Sequence, residues 1–154
     1  MSKSPNGIDA TAAARSVSGF RRALGEQTLE LTKEAVTLFG SDVVMRIDGA
    51  ANNPRRVDTG ETRDGWALAT EQASGRSVGP TSAAPPGANV GAIAQTGMKV
   101  QVQLANLAPQ AWYVEDGTPM MRPGYHLRDA SRKLEAHAEE IADKYMVKAW
   151  EEAA

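Results

Sequence analysis

Residues 111–123 read Ala-Trp-Tyr-Val-Glu-Asp-Gly-Thr-Pro-Met-Met-Arg-Pro and separate a mixed first part of the chain from a helical last part. The aromatic and β-branched residues at 112–114 suit a pleated, half-buried surface, so residues 111–115 are predicted to form a strand. Asp116-Gly117 is a turn pair, and Pro119 and Pro123 prevent a central strand from continuing. Flexible apolar side chains in such a loop, Met120 and Met121, favour a contact surface over the core, and packing within the loop is an equal alternative.

The segment before this stretch, residues 98–107, predicts the clearest strand. Its apolar residues alternate strictly with polar ones, so one face should be buried and the other wet: Met98, Val100, Val102 and Leu104 against Lys99, Gln101 and Gln103. Residues 106–109 predict a turn, after which residues 111–115 return as an antiparallel partner.

Two further segments precede this strand pair. Residues 78–97, rich in Gly, Pro, Ala and Ser, predict a long loop that holds at most a short extended piece near residues 90–93. Residues 65–76 would tolerate a helix, but we favour a strand because Trp66 and Leu68 alternate with smaller residues and Gly75 closes the segment.

Helices are predicted at both ends. Residues 124–154 carry an amphipathic stripe of Leu127, Ala130, Leu134, Ala138, Ile141 and Tyr145. Residues 17–51 also have helical periodicity, although Gly40-Ser41-Asp42 interrupts it, so one bent helix and two helices are both open. Residues 52–64 form the connecting loop, and residues 1–16 a flexible N-terminal arm in front of a single domain, 17–154. The expected fold class is α+β, with long helices packed on a small antiparallel sheet.

The composition narrows the function classes. The 154 residues carry a formal net charge of -2, which disfavours a protein that binds nucleic acid through its phosphates. The chain has no cysteine, which excludes a disulfide framework and a thiolate metal site. No apolar run approaches the ~20 residues of a membrane span, and no signal peptide is evident. Phosphate-loop and Gly-x-Ser-x-Gly patterns are absent, and His126 and His137 lack metal-pair spacing, so a partly exposed surface position is predicted for each. We expect no catalytic residue, no metal and no cofactor.

One motif offers an enzymatic alternative. Asp58-Thr59-Gly60 matches the triplet of aspartic proteases, which a short chain could use as a homodimer. That chemistry needs the aspartate buried beside a hydrophobic strand, whereas Arg55-Arg56 and the charged residues 61–64 flank this turn. A solvated turn is therefore the favoured interpretation. Among the tryptophans, Trp66 and Trp112 are predicted to be core-facing sheet residues, and Trp150 a helix or subunit contact.

Two motifs together resemble a known family. The first is Val57-Asp58-Thr59-Gly60 followed by Arg63; the second is residues 112–118, Trp-Tyr-Val-Glu-Asp-Gly-Thr, followed by Met121-Arg122-Pro123 and a helix. In this order, with a long helix at each end, they resemble the small tail-completion, or head–tail joining, proteins of the neck of long-tailed bacteriophages. The resemblance covers about residues 31–149. The chain departs from the family pattern at Glu61-Thr62, at Gly124, and in the short spacer after Thr118.

The resemblance implies a structural virion protein rather than an enzyme. Such proteins form a ring, usually of six copies, at the head-proximal end of the tail tube and join it to the head connector or stopper, while DNA passes through the lumen. It also implies a location in the virion neck, with assembly in the host cytoplasm and no membrane contact. The expected subunit or partner interface comprises Val57, Asp58, Thr59, Gly60, Arg63, Tyr113, Glu115, Gly117, Thr118, Pro119, Met120, Met121 and Arg122. Terminator, completion and stopper roles remain open, as does a prophage-encoded adaptor that forms no ring.

Overall fold

The computed structural model describes residues 10–49, 60–87, 90–120 and 122–153, and the fold class is α+β as predicted. Helices pack on a single two-stranded antiparallel sheet. In chain order the elements are α1 (Ala10–Ile47), α2 (Glu61–Ser74), β1 (Gly91–Thr96), β2 (Lys99–Leu104), α3 (Ala111–Asp116) and α4 (His126–Ala153).

The first helical region is one continuous helix, α1, which settles the choice between one helix and two. It begins at Ala10, so the predicted start at residue 17 is wrong, and residues 10–16 are helical where an arm was expected. Residues 1–9 lie outside the described part. Gly40 does not end the helix. It lies within α1 and is buried against α2. A methyl group there would overlap the side chain of Thr70, so the glycine lets the two helices approach.

Residues 65–76 are not a strand: they belong mostly to helix α2, which also takes in residues 61–64 of the predicted loop. Alanines at positions 67, 69 and 73 favour a helix. Gly75, which is predicted to close a strand, instead follows the last residue of the helix, and Gly65 lies inside it. Gly60 and Gly75 both have left-handed backbone, and the Gly75 N–H donates to Glu71 O, as a C-terminal helix cap does.

The sheet is built from a different pair of segments than predicted. Strand β2 confirms the alternating segment, but its partner is β1, which lies inside the predicted long loop. Gly97 has φ 61 and is the first residue of the two-residue turn between the strands, as in a type II′ hairpin. The Gln72 side-chain oxygen accepts from the N–H groups of Val90 and Gly91, which fixes the start of β1 on α2. The predicted buried face is covered only in part, because Val102 is 41% exposed.

The predicted return strand, 111–115, is instead the short helix α3. The residues just before it provide the physical reason. The Asn106 side chain accepts from the Ala108 N–H, and the Ala111 N–H donates to Ala108 O, so the chain is already turning when it reaches the aromatic residues. This local turn outweighs the β propensity of three residues.

Helix α4 packs antiparallel to α1, since later positions on α1 pair with earlier positions on α4. The Gln27 side chain donates a hydrogen bond to Glu152, Lys144 donates to Glu34, and Lys133 donates to Asp42. Beneath these polar contacts lies the main core cluster, which consists of Val43, Ile47, Val114 and Ala130, with Phe39, Trp66 and Leu127 packed against it. Elements α1, α2, α3 and α4 thus all contribute to one core.

The ion pairs between α1 and α4 shift the pKa of two carboxyls. Hydrogen bonds from Lys144 and Tyr145 hold the pKa of Glu34 below its ordinary value. Burial alone would raise the pKa of Asp42, but Lys133 and Arg46 both donate to this carboxylate and leave its pKa lowered. Both acids are therefore held in their charged form by the helix pair.

The close approach of α1 and α2 predicts a glycine-specific effect. Gly40→Ala should lower the free energy of unfolding by roughly 1–3 kcal/mol, because the new methyl group overlaps Thr70 in a packed site. The matched control is Gly19→Ala in the same helix, where nothing lies within 4 Å, and it should raise stability by roughly 0.5–1 kcal/mol. Urea unfolding of both variants tests this. Equal effects at the two positions would refute the close approach.

The lowered pKa of Asp42 predicts a loss of stability in acid. Its carboxylate stabilises the folded state fully above the unfolded pKa of about 3.9, and this contribution disappears as pH falls through the lower pKa of the folded state. Asp42→Asn should therefore cost roughly 1.5–3 kcal/mol at neutral pH. Its difference from the unchanged chain should shrink below about pH 4, measured by urea unfolding at a series of pH values.

The matched control for this prediction is Glu139→Gln, which removes an exposed carboxylate from α4. Its unfolding free energy should follow that of the unchanged chain across the whole pH range. A difference for Asp42→Asn that stays constant into acid would show that the ion pairs contribute nothing.

Candidate assembly surface

Helix α3 is fixed in the molecule by one inward side chain. Val114 is buried in the core cluster with Val43 and Ile47, while the residues on either side of it point elsewhere. The helix ends where the Gly117 N–H donates to Tyr113 O, with Gly117 at φ 78. A positive φ suits glycine, so the Asp116-Gly117 pair turns the chain as predicted.

Glu115 fastens α3 to the start of α4. Its carboxylate accepts from the Leu127 N–H at 3.0 Å and from the Arg128 N–H at 3.4 Å, and its backbone oxygen accepts from the N–H groups of Gly124 and Tyr125. The first N–H groups of a helix have no partner within the helix, and a carboxylate there also favours the positive end of the helix dipole. The predicted interface residue Glu115 is thus an internal cap.

The bend between the two helices encloses His126, contrary to the prediction of a partly exposed histidine. Its side chain is 1% exposed. Tyr125 has φ 54, which turns the chain inward, and a methyl group on Gly124 would overlap the imidazole and Val114 O. Glycine at 124, a departure from the family pattern, therefore suits the packing of this histidine. His137 lies exposed on α4, as predicted.

Three large side chains of this segment face solvent. Trp112 is 69% exposed, Tyr113 52% and Met120 96%. We call these three residues the α3 surface. Large apolar side chains in such a short segment mark an interaction site more often than isolated exposed ones do. The prediction that Trp112 faces the core is wrong, because the tryptophan lies on a helix that turns Val114 inward instead.

The other predicted interface residues in this loop frame the α3 surface. The Thr118 hydroxyl accepts from the Met120 N–H at 3.2 Å, which shapes the turn. Pro119 and Arg122 are exposed, and Met121 lies outside the described residues.

The first motif of the resemblance is described only at its end, since Val57, Asp58 and Thr59 lie outside the described residues. Gly60 is the N-cap residue of α2, and Arg63 forms ion pairs with Asp64 at 2.7 Å and Asp48 at 3.3 Å. The neighbouring Asp64 raises the pKa of the Arg63 guanidinium above its ordinary value. These contacts join the end of α1 to α2, so Arg63 has an internal structural role.

The structure brings the two motifs close together through their flanking residues. The Gln110 side chain, at the start of α3, donates to Glu61 at 2.6 Å, and the Asn106 side chain donates to Thr62 O at 2.7 Å. A methyl group on Gly65 would overlap Asn106, so this glycine permits the approach. The start of α2 and the start of α3 therefore share one region.

The remaining tryptophans lie on helices. Trp66 packs against the core cluster from α2 rather than from a sheet. Trp150, near the end of α4, meets the ring of Phe20 edge-on, with ring centroids 5.7 Å apart, yet it remains 69% exposed. Its prediction as a helix contact is confirmed by this pair; a subunit contact stays a prediction.

Comparison with known proteins adds no family: no protein-family model, no curated protein and no solved structure matches the chain. None of the described helices combines the length and the apolar character needed to cross a bilayer.

The capping role of Glu115 predicts a measurable stability effect. Glu115→Ala should lower the free energy of unfolding by about 1 kcal/mol, because the first N–H groups of α4 lose their acceptor. Glu115→Gln should cost less, since the amide oxygen can still accept. Thermal and urea unfolding measure both, with Asp116→Ala at the adjacent exposed position as the control. If Asp116→Ala costs as much as Glu115→Ala, the cap is not a specific one.

Proposed function

We propose that this chain is a structural protein of the bacteriophage neck, which forms a ring, hexameric in the family it resembles, at the head-proximal end of the tail. In this role it completes the tail tube and joins it to the head connector or stopper, while DNA passes through the lumen. The proposal rests on the ordered motifs in the sequence together with the α+β fold of long helices on a small sheet.

One observation carries the proposal: the second motif divides its residues between two tasks. Val114 and Glu115 hold α3 in the core and on α4, while Trp112, Tyr113 and Met120 are left exposed. A segment that is rigidly anchored and yet presents large apolar side chains is suited to binding another protein. Rigid aromatic side chains supply most of the energy of such contacts.

The sheet supports the same conclusion. It has two strands, so among the described strands each has an outer edge that no third strand pairs. An isolated two-stranded hairpin is marginally stable in water, and an open edge is a template for pairing with another chain. Here α2 supports the hairpin from one side, and the 41% exposure of Val102 leaves apolar area for a partner.

The enzymatic alternative rests on Asp58, which lies outside the described residues. Directly after the triplet the structure has helix α2, and not the hydrophobic strand that the aspartic protease site requires. An adaptor that binds a host protein would use the same exposed α3 surface. The partner therefore decides between an adaptor and a neck protein.

Binding to tail tubes tests the proposed function. The purified chain is mixed with tail tubes from the phage or prophage that carries this gene and viewed by negative-stain microscopy. We expect rings at one end of the tubes. The double variant Trp112→Ala with Met120→Ala should reduce tube binding about thirtyfold or more, because truncating an interface anchor costs about 2 kcal/mol.

The matched control is Met45→Ala with Met146→Ala, which truncates exposed apolar side chains on α1 and α4 and leaves the α3 surface and the hairpin intact. It should bind tubes more strongly than the α3 variant. An unchanged chain that stays monomeric and leaves the tubes bare would contradict the proposal. Capture of a host protein, with no binding to virion proteins, would favour the adaptor.

A further inference from the structure

We propose that the outer edge of strand β2 binds an extended segment of a partner protein, which adds to the hairpin as a third strand. The occupant is a stretch of peptide backbone with uncharged side chains, and not a helix or a small molecule. The inference goes beyond the proposed function, because it holds whether or not the partner belongs to a phage tail. It rests on the hydrogen-bond pattern of the hairpin and on the residues around its two edges.

The register of the hairpin shows which backbone groups point outward. Thr96 and Lys99 are paired across the two-residue turn, and the Ala105 N–H donates to Val90 O at 2.7 Å. Hydrogen-bonded and non-hydrogen-bonded pairs alternate along an antiparallel ladder, so the odd-numbered residues of β2 bond to β1. The N–H and C=O groups of the even-numbered residues therefore point away from β1: Val100, Val102 and Leu104.

The two edges of the hairpin differ in what covers them. On β1, the outward N–H of Gly91 donates to the Gln72 side chain, and the Gly91 backbone lies against Ala69 of α2. The outward N–H and C=O groups of β2, by contrast, have no hydrogen-bond partner among the described residues. Helix α2 therefore closes the start of the β1 edge, and the β2 edge is the one on which another strand can pair.

Strand β2 lacks the features that protect an open edge. Natural edge strands carry charges, prolines or bulges that prevent pairing with another chain. Residues 100–104, Val-Gln-Val-Gln-Leu, have no charge and no proline, and their register with β1 runs without a bulge. β-branched residues and the absence of charge also give such a segment a high tendency to pair. An unprotected edge of this kind indicates that a partner covers it.

The exposed face of the hairpin favours uncharged side chains in the partner. An open hollow of ≈ 470 Å³ lies on this face and reaches the β2 edge at Val102. Its lining contains no charged residue: Ala92, Ala94, Gln101, Val102 and Gln103. A charged side chain would lose water there without gaining an ion pair, whereas an amide or a hydroxyl can bond to the glutamines.

The opposite face of the hairpin favours apolar side chains in the partner. Ile93 and Val102 are paired across the two strands and share this face. Val102 is still 41% exposed, and an apolar residue of a third strand directly opposite would cover it. The predicted partner segment therefore alternates β-branched residues with uncharged polar ones.

Peptide selection tests the edge for any partner of this chemistry. The probe is a library of random twelve-residue peptides displayed on yeast and selected for binding to the purified chain. We expect the enriched peptides to alternate β-branched with uncharged polar residues. They should bind Val102→Pro about tenfold more weakly than the unchanged chain, because proline removes an outward N–H that the hairpin itself does not use. The matched control is Val102→Ala, which shortens the side chain but keeps this N–H and should bind more tightly than Val102→Pro.

Hydrogen exchange gives a second measurement that needs no substitution and so does not depend on the folding of a variant. It is followed by NMR on the unchanged chain with and without a saturating amount of an enriched peptide. Exchange should slow at least about tenfold at the outward amides of β2: Val100, Val102 and Leu104. The amide of Ile93, which points outward on the β1 edge, is the internal control and should exchange as before.

Three outcomes would overturn the inference. The first is a selection that enriches no peptide with the expected alternation. The second is a set of peptides that bind Val102→Pro as tightly as Val102→Ala, or that protect the amide of Ile93 in place of that of Val102. The third is a peptide-free chain that dimerises and loses the dimer in Val102→Pro, which would show that a second copy occupies the edge.

The outcome is separable from that of the proposed function. Peptides that require the β2 edge, on a chain that leaves tail tubes bare, would keep the strand addition and refute the neck role. Rings on tail tubes, with no peptide that requires the β2 edge, would keep the neck role and refute the strand addition.

Discussion

The fold depends on the close packing of three neighbouring segments against helix α2. Gly40 of α1 lies against Thr70, Gly65 lies against Asn106, and Gly91 at the start of β1 lies against the Ala69 backbone. A side chain at any of these glycines would overlap its neighbour, so the position of α2 depends on glycine at all three contacts. Small residues permit such close packing, and polar groups then fix it: Gln72 holds β1, and Asp64 accepts from the Ala83 N–H in the following loop.

The positions of α3 and α4 depend on this packing around α2. The Gln110 side chain donates to Glu61 of α2, which fixes the start of α3. The Glu115 carboxylate then accepts from the Leu127 N–H, which fixes the start of α4. The long helices are joined by ion pairs along their length, but their register is fixed at this end by a short helix of six residues. A region so strongly constrained can leave Trp112 and Met120 in water without losing its shape.

Periodicity predicted the type of the long elements, although not where α1 begins, and it failed for the short ones. Helices α1 and α4 and strand β2 have enough residues for their apolar pattern to be decisive. Residues 65–76 and 111–115 are short and rich in residues that suit both structures, so capping decided their form: Gly75 ends α2, and Asn106 starts the turn before α3. The exposure of Trp112 could not be predicted, because it follows from Val114 turning inward. Likewise, no local sequence pattern predicts that the Glu115 carboxylate accepts a hydrogen bond from the Leu127 N–H.

The distribution of apolar surface links the fold to assembly. The middle of the α1–α4 pair is closed by Asp42, Glu34 and their partners, whereas both of its ends keep large side chains in water. A monomer selected only for stability would bury or replace them, since each exposed aromatic residue adds a risk of aggregation. The exposed side chains fall into two separate groups: Trp112 and Met120 lie beside the start of α4, and Val17 and Trp150 lie near its far end. Two separate exposed apolar groups on one chain suit the proposed ring, because each copy of a ring contacts two neighbours.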